Sequence, residues 1–157
     1  MSWAKDRVYP SPMPSMWADT LQTLERAHLL RLLVWGAASV LTGTALLAWL
    51  RVGLRESALL KQFAVMAAAW GTVELAIGLL LWSRLEMRDV SGATRLDRLL
   101  WLNIGLDAGY VLVGLTLVVV GWRVGRRLGL VGAGIGVVVQ GLALALLDLA
   151  LAAQISR

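Results

Sequence analysis

Polar residues interrupt the long apolar stretches of this chain at only a few positions, and three of them are carboxylic acids. The candidate functional cluster, which we expect to be buried, consists of Glu74, Asn103, Asp107, Tyr110, Gln140 and Asp148. Asn103, Asp107 and Tyr110 follow i, i+4, i+7 spacing, so a helix places them on one face. A carboxyl group in apolar surroundings can hold a proton or a cation, and a pair of them can do acid–base chemistry.

The composition removes most other chemistry. The chain has 157 residues, of which 59% are hydrophobic and 16% charged, and it has no cysteine. Thiol nucleophiles, disulfides and zinc–thiolate sites are therefore excluded. Because His28 is the only histidine, sites with several histidines are also excluded. We interpret His28 as an interfacial residue. No nucleotide-binding motif occurs. We expect neither an enzyme nor a bound cofactor or metal.

Four apolar runs dominate the chain, whose mean hydropathy is +0.73. They cover about 29–50, 62–82, 99–122 and 128–152. Each has the roughly 20 residues that a helix needs to cross a bilayer. None carries the polar stripe of a soluble bundle helix, and indoles sit near the span ends, where they prefer the interface. The sequence predicts an all-α fold, a bundle of four transmembrane helices.

The segments outside the spans have their own patterns. We expect 1–16 to be an extended tail, 17–28 to be a short amphipathic interfacial helix, and 29–153 to be the membrane bundle. Thr94–Asp97 matches a capping box that would start the third helix. The apolar residues Met13, Met16 and Trp17 are required by no span, so we interpret them as a surface for docking a partner.

Glycines at helical spacing indicate close helix packing. Gly71 and Gly78 flank Glu74, Gly114 continues the Asp107 face, and Gly132 and Gly136 line up with Gln140. There is also a short internal resemblance between the stretch Leu41–Gly53 and the stretch Leu112–Gly125. In a chain so rich in leucine, valine and glycine, we attribute it to chance.

The positive charge indicates membrane topology. The net charge is +5, and most lysines and arginines lie outside the apolar runs, as topology signals and headgroup contacts do. We therefore expect lipids as partners and no nucleic acid. The termini and central loop carry nine basic residues against six in the hairpin loops, but the hairpin loops are the denser. The orientation is thus undetermined.

The polar cluster has two competing interpretations. An ionised carboxylate costs about 2.5–3.5 kcal/mol at a helix centre, and no lysine or arginine lies at the depth of Glu74 or Asp107. Either neutral carboxyl groups lock the bundle through hydrogen bonds to Asn103, Gln140 and Tyr110, or the cluster is a proton or cation site. The first interpretation is favoured by the sequence. A polar pocket for a lipid or pigment is a further alternative.

The segments WGTVELAIG, LNIGLDAGYVLVGL and QGLALALLDL resemble a bacterial domain-of-unknown-function family of small four-helix membrane proteins. The resemblance covers about Leu33 to Leu151, and it implies four spans and a bacterial origin but no activity. With it we expect a location in the bacterial inner membrane.

The size and the lack of cofactor ligands favour a structural or interaction role. Such a protein would associate with itself or serve as an accessory subunit of a respiratory or photosynthetic complex. The alternative is a carboxylate-dependent proton or cation transporter or sensor that acts as an oligomer.

Overall fold

Four α-helices make up the described part of the chain, which contains no strand. The computed structural model describes residues 13–54, 56–85 and 90–155. The helices are α1 (Met13–Val52), α2 (Ala58–Ser83), α3 (Val90–Arg123) and α4 (Leu128–Ile155). All four are long and apolar enough to cross a membrane. The expected all-α class is confirmed, and so are four helices that are long and apolar enough to span a membrane.

Helix α1 is longer than a membrane requires. Its 40 residues extend for about 60 Å, so 17–28 is the first part of the spanning helix and is continuous with it. Residues 13–16 are helical where we expected an extended tail. Pro14 falls in the first turn, where its missing N–H has no intrahelical partner to lose. The rest of the expected tail, residues 1–12, lies outside the described residues.

Helix α3 also begins earlier than expected. It starts at Val90, so the prediction that Thr94–Asp97 caps its N-terminus is wrong. The preceding turn is helical because an apolar stripe continues through it, and Ala93 and Leu100 are both buried. Leu100 packs with Leu151 and Ala152 at the C-terminal end of α4. This end of the bundle, where α1 begins and α4 ends, therefore has a small apolar core.

Across the middle of the bundle, the usual distribution of polar and apolar residues is reversed. Glu74, Asp107 and Gln140 are 3%, 5% and 3% exposed, whereas Leu41 and Leu112 are 68% and 65% exposed. In water this arrangement would cost free energy on both counts, because carboxyls lose hydration and leucines gain contact with water. In lipid the exposed leucines lie in their preferred solvent, so the arrangement is that of a membrane protein.

The same close contact builds both helical hairpins. A Cβ at Gly43 would lie 2.5 Å from the Ala64 carbonyl oxygen, and one at Gly114 would lie 2.8 Å from the Gly134 carbonyl oxygen. Both glycines lie in the segments whose resemblance we attributed to chance. That resemblance therefore coincides with a repeated packing geometry.

Helices α2 and α3, which follow each other in the chain, do not pack closely against each other over their described residues. α1 packs along α2, α3 packs along α4, and α4 also packs against α2 and, over a shorter stretch, α1. Among the described residues, the backbones of α2 and α3 do not come into contact. A cleft therefore separates α2 from α3, with α1 and α4 behind it.

Candidate functional site

The cleft between α2 and α3 holds most of the candidate residues. Its central part is a cavity of about 210 Å³. All four helices contribute to its lining, which consists of His28, Leu32, Trp70, Val73, Glu74, Ile77, Leu81, Asn103, Leu106, Asp107, Tyr110, Leu144 and Asp148. Five of the six residues in the predicted cluster are in this set, and the sixth, Gln140, is not.

Glu74 is the most deeply placed carboxylic acid of this cavity. Its side chain projects from α2. Here α2 lies so close to α1 that a Cβ at Gly71 would be only 2.6 Å from the Gly36 carbonyl oxygen. Glu74 is 3% exposed. Both of its carboxyl oxygens are buried, and neither has a hydrogen-bond partner among the described residues. A buried carboxyl group without a hydrogen-bond partner destabilises a fold. A role in stabilising the bundle therefore does not explain why Glu74 is buried here.

Asp107 lines the same cavity from α3. It is 5% exposed, and its Oδ2 atom has no hydrogen-bond partner in the described part of the chain. Because Glu74 lines the same cavity, the two carboxyl groups repel each other when both are ionised. Two like charges in an apolar cavity are unfavourable together. The pair therefore favours binding of at least one proton or cation.

A second polar pair marks the end of the cleft nearer the termini. His28 Nε2 lies 3.3 Å from Asp148 Oδ1, and Asn103 lines the same part of the cleft. An adjoining cavity of about 390 Å³ shares His28, Asn103 and Asp148 with the central one. Glu25 and Arg84 also line it. Polar groups thus lead from Asp107 and Glu74 toward the end of the bundle where the termini lie.

Gln140 has different partners from those we expected. The Trp35 indole N–H donates to Gln140 Oε1 at 2.6 Å, and Gln140 Nε2 donates to Ser39 Oγ at 3.0 Å. These bonds join α4 to α1. The prediction that Gln140 hydrogen-bonds the carboxyl groups is wrong, because α1 supplies a donor and an acceptor closer to it.

Asn103 and Tyr110 lie at the rim of the cleft. Both are exposed, so the expectation that the whole cluster is buried is wrong for these two residues. The Tyr110 ring meets the Trp70 ring edge to face, with centroids 5.1 Å apart. Since the two rings come from α3 and α2, this contact bridges the cleft at one end.

The predicted packing glycines all lie close to other parts of the bundle. A Cβ at Gly71 would meet α1, one at Gly78 would meet Leu33, and one at Gly114 would meet α4. Cβ atoms at Gly132 and Gly136 would meet α2, the first at the Leu59 carbonyl. Of the expected docking residues, Met16 is 67% exposed. The side chains of Met13 and Trp17 lie outside the described residues.

Sequence reasoning left His28, Trp35, Ser39 and Trp70 out of the cluster. A signal for three of them was available in the helical spacing. Trp35 and Ser39 are four residues apart on one face of α1, and Trp70 is four residues before Glu74 on α2. The pairing of His28 with Asp148 carries no such signal, because it depends on how α1 and α4 pack.

The arrangement suits reversible binding of positive charge. Three carboxyl groups, those of Glu74, Asp107 and Asp148, line one cavity, and His28 pairs with Asp148 there. Within the described ranges, no three histidine or acidic side chains come together as metal ligands would. Protons and larger cations fit this geometry better than a tightly coordinated metal ion does.

The fold and the cleft define a small helical membrane protein with an acidic cavity between its spans. Residues 31–149 match the model of a family described as "Family of unknown function (DUF6992)", and the chain belongs to that family. The family resemblance drawn from the sequence is thereby confirmed as far as a family of unknown function is concerned. No curated protein and no solved structure matches the chain.

Proposed function

We propose that this protein transfers protons through the membrane by means of the carboxyl groups in the α2–α3 cleft. The observation that carries the proposal is the Glu74 carboxyl, buried without a partner and facing the Asp107 side of a cavity. Ionisable groups inside membrane spans are expensive and commonly mark ion pathways. A purely structural role gives no reason to leave both oxygens of a buried acid unsatisfied.

The route would run along the cleft. Protons would reach Asp148 and His28 from the end of the bundle that carries the termini, through the adjoining cavity. From there they would pass to Asp107 and Glu74 in the central cavity, and release from Glu74 to the face of the hairpin loops would complete the transfer. Each of these groups can both bind and release a proton, as a relay requires.

The test is proton flux into sealed vesicles. The full chain is reconstituted with an internal pH-sensitive dye, and a potassium gradient with valinomycin sets the membrane potential. We expect wild type to carry protons and Glu74→Gln to carry them about 100-fold more slowly or not at all, since the amide cannot take part in proton transfer. Glu56→Gln is the matched control, because Glu56 is exposed and precedes α2 outside the cleft.

Two outcomes would contradict the proposal. Equal flux through wild type and Glu74→Gln would remove Glu74 from the route. Flux no faster than in protein-free vesicles, for a wild-type protein that is folded and helical, would mean that the cleft does not conduct protons.

A second candidate function is the interaction role favoured by the sequence. One specific observation supports it: α3 packs along α4 alone among the described helices, and Gly105 and Gly109, four residues apart, face open space. Such a pair permits close approach of another helix. We propose a second copy of this chain as the partner, with Met13, Met16 and Trp17 as an additional docking surface for a larger complex.

Native mass in mild detergent tests this candidate. We expect a dimer for the full chain, and we expect insertion to survive removal of residues 1–16 while chains that co-purify are lost. A monomer without bound chains would contradict the interaction role. We further propose a bacterial inner membrane as the location, on the basis of the sequence resemblance.

A further inference from the structure

We propose that the α2–α3 cleft binds organic cations with an apolar body, which enter from the bilayer and compete with protons for the carboxyl groups. This inference rests on the proposed function, since it names the class of ligand that shares the proton site. The observations behind it are the unpartnered acids, the aromatic pair and the lateral opening of the cleft.

The acids supply the attraction for positive charge. Glu74 and Asp107 line the cavity, and both Glu74 carboxyl oxygens and Asp107 Oδ2 are buried without a hydrogen-bond partner among the described residues. The charged and titratable groups that line the two cavities come from every helix, namely Glu25 and His28 of α1, Glu74 of α2, Asp107 and Tyr110 of α3, Asp148 of α4, and Arg84 just after α2. Acids outnumber bases among them, and the guanidinium lies in the adjoining cavity, not in the central one. The central cavity therefore attracts cations.

The geometry of the acids favours an organic cation over a small metal ion. Divalent ions need several oxygen or nitrogen ligands converging on one point. In the described part of the chain no such convergence of three side chains occurs. A large monovalent cation needs only one or two carboxylates nearby, and it loses less hydration when it leaves water.

The aromatic pair supplies a second recognition element. Trp70 and Tyr110 line the same cavity as Glu74 and Asp107, with their ring centroids 5.1 Å apart. Because the rings meet edge to face, this contact covers only one of their π-faces, and an aromatic face that lines the cavity can receive a cation, as in sites for quaternary ammonium groups. The rest of the wall is apolar, with Val73, Ile77 and Leu106 among its side chains.

The opening faces the lipid. Val73 and Ile77 on α2 are each 47% exposed, and Leu106 on α3 is 50% exposed. These apolar side chains border the gap between two helices whose backbones do not meet, so a ligand dissolved in the bilayer reaches the cavity that the two acids line without crossing a polar barrier. The adjoining cavity of about 390 Å³ has a volume typical of small-molecule sites. It enlarges the space open to a ligand toward the end of the bundle where α1 begins and α4 ends.

The probe is benzyltrimethylammonium, and its neutral isostere neopentylbenzene is the matched control. Binding to the full chain in detergent is measured by calorimetry at pH 8 and at pH 6. We expect the cation to bind at pH 8 and more weakly at pH 6, because protons compete for the same carboxylates. We expect at least tenfold weaker binding of the neutral isostere, which lacks only the charge.

Variants separate the two recognition elements. Glu74→Gln is expected to weaken binding of the cation about tenfold or more, and Trp70→Leu about 3- to 30-fold. Glu56→Gln should leave the affinity unchanged. Helicity and unfolding temperature are measured for each variant, and the isostere's affinity shows whether the apolar walls survive.

The outcomes distinguish this inference from the proposed function. Proton flux with no binding of benzyltrimethylammonium would overturn the inference and leave the proton route standing. Binding with no proton flux would support the site and overturn the transfer function. Equal affinity for the cation and neopentylbenzene, or full affinity in Glu74→Gln, would show an apolar pocket that ignores charge and would overturn the inference.

Discussion

Replacement of Gly132 by alanine is expected to cost the bundle about 1–3 kcal/mol of unfolding free energy, the usual range for overpacking. A Cβ at this position would run into the Leu59 carbonyl at the start of α2. The obstacle is backbone, so no side-chain rotation relieves it, and α2 and α4 have to move apart. Their separation would also disturb the back of the cleft, to which α4 contributes Leu144 and Asp148.

Gly129→Ala, on the same helix, is the matched control for that experiment. A Cβ at Gly129 would closely approach only the flexible Gln62 side chain, at 3.3 Å, and alanine is a better helix former than glycine. Unfolding in detergent, followed by loss of helicity, is therefore expected to show opposite signs for the two substitutions. Equal effects would mean that the approach of α4 to α2 at Gly132 is looser than the structure has it.

The number of helices followed from the sequence because bilayer thickness sets the minimum length of an apolar run that can span it. Apolar runs of the right length leave few alternatives to a spanning helix. The helix starts were harder to place. Thr94–Asp97 has the residues of a capping box, but the pattern is local, and α3 continues past it because Ala93 finds a place to pack.

The candidate site was predictable in its residues but not in its pairings. Glu74, Asp107 and Asp148 stood out as acids in apolar runs, and the structure places all three along one cavity. Which helix Gln140 faces depends on how α4 turns against α1, and a single sequence does not contain that information. Its bonds to Trp35 and Ser39 leave Glu74 without the partner that the structural interpretation required.

Because Gln140 bonds α1 and not Asp107, the expected effect of Asp107 substitutions on the free energy of unfolding changes. Had Asp107 been hydrogen-bonded to Gln140, Asp107→Leu would have left a buried amide unsatisfied and destabilised the bundle by about 1–2 kcal/mol. In the structure the amide is satisfied by α1, and Asp107 Oδ2 has no partner to lose. We therefore expect Asp107→Leu to leave stability unchanged or to raise it by up to about 2 kcal/mol, as happens when a functional site carries an unfavourable group.

The same substitutions are expected to stop proton transfer. Both Asp107→Leu and Asp107→Asn remove the carboxyl group, so proton flux in dye-loaded vesicles is expected to fall about 100-fold or more. Stability and flux would then move independently, and in Asp107→Leu stability would hold or rise as flux is lost. A loss of stability in Asp107→Leu, with flux through Asp107→Asn equal to wild type, would show that Asp107 holds the bundle together and conducts nothing. Unfolding free energy and flux are measured on the same preparations, because only the two measurements together distinguish a residue that stabilises the bundle from one that transfers protons.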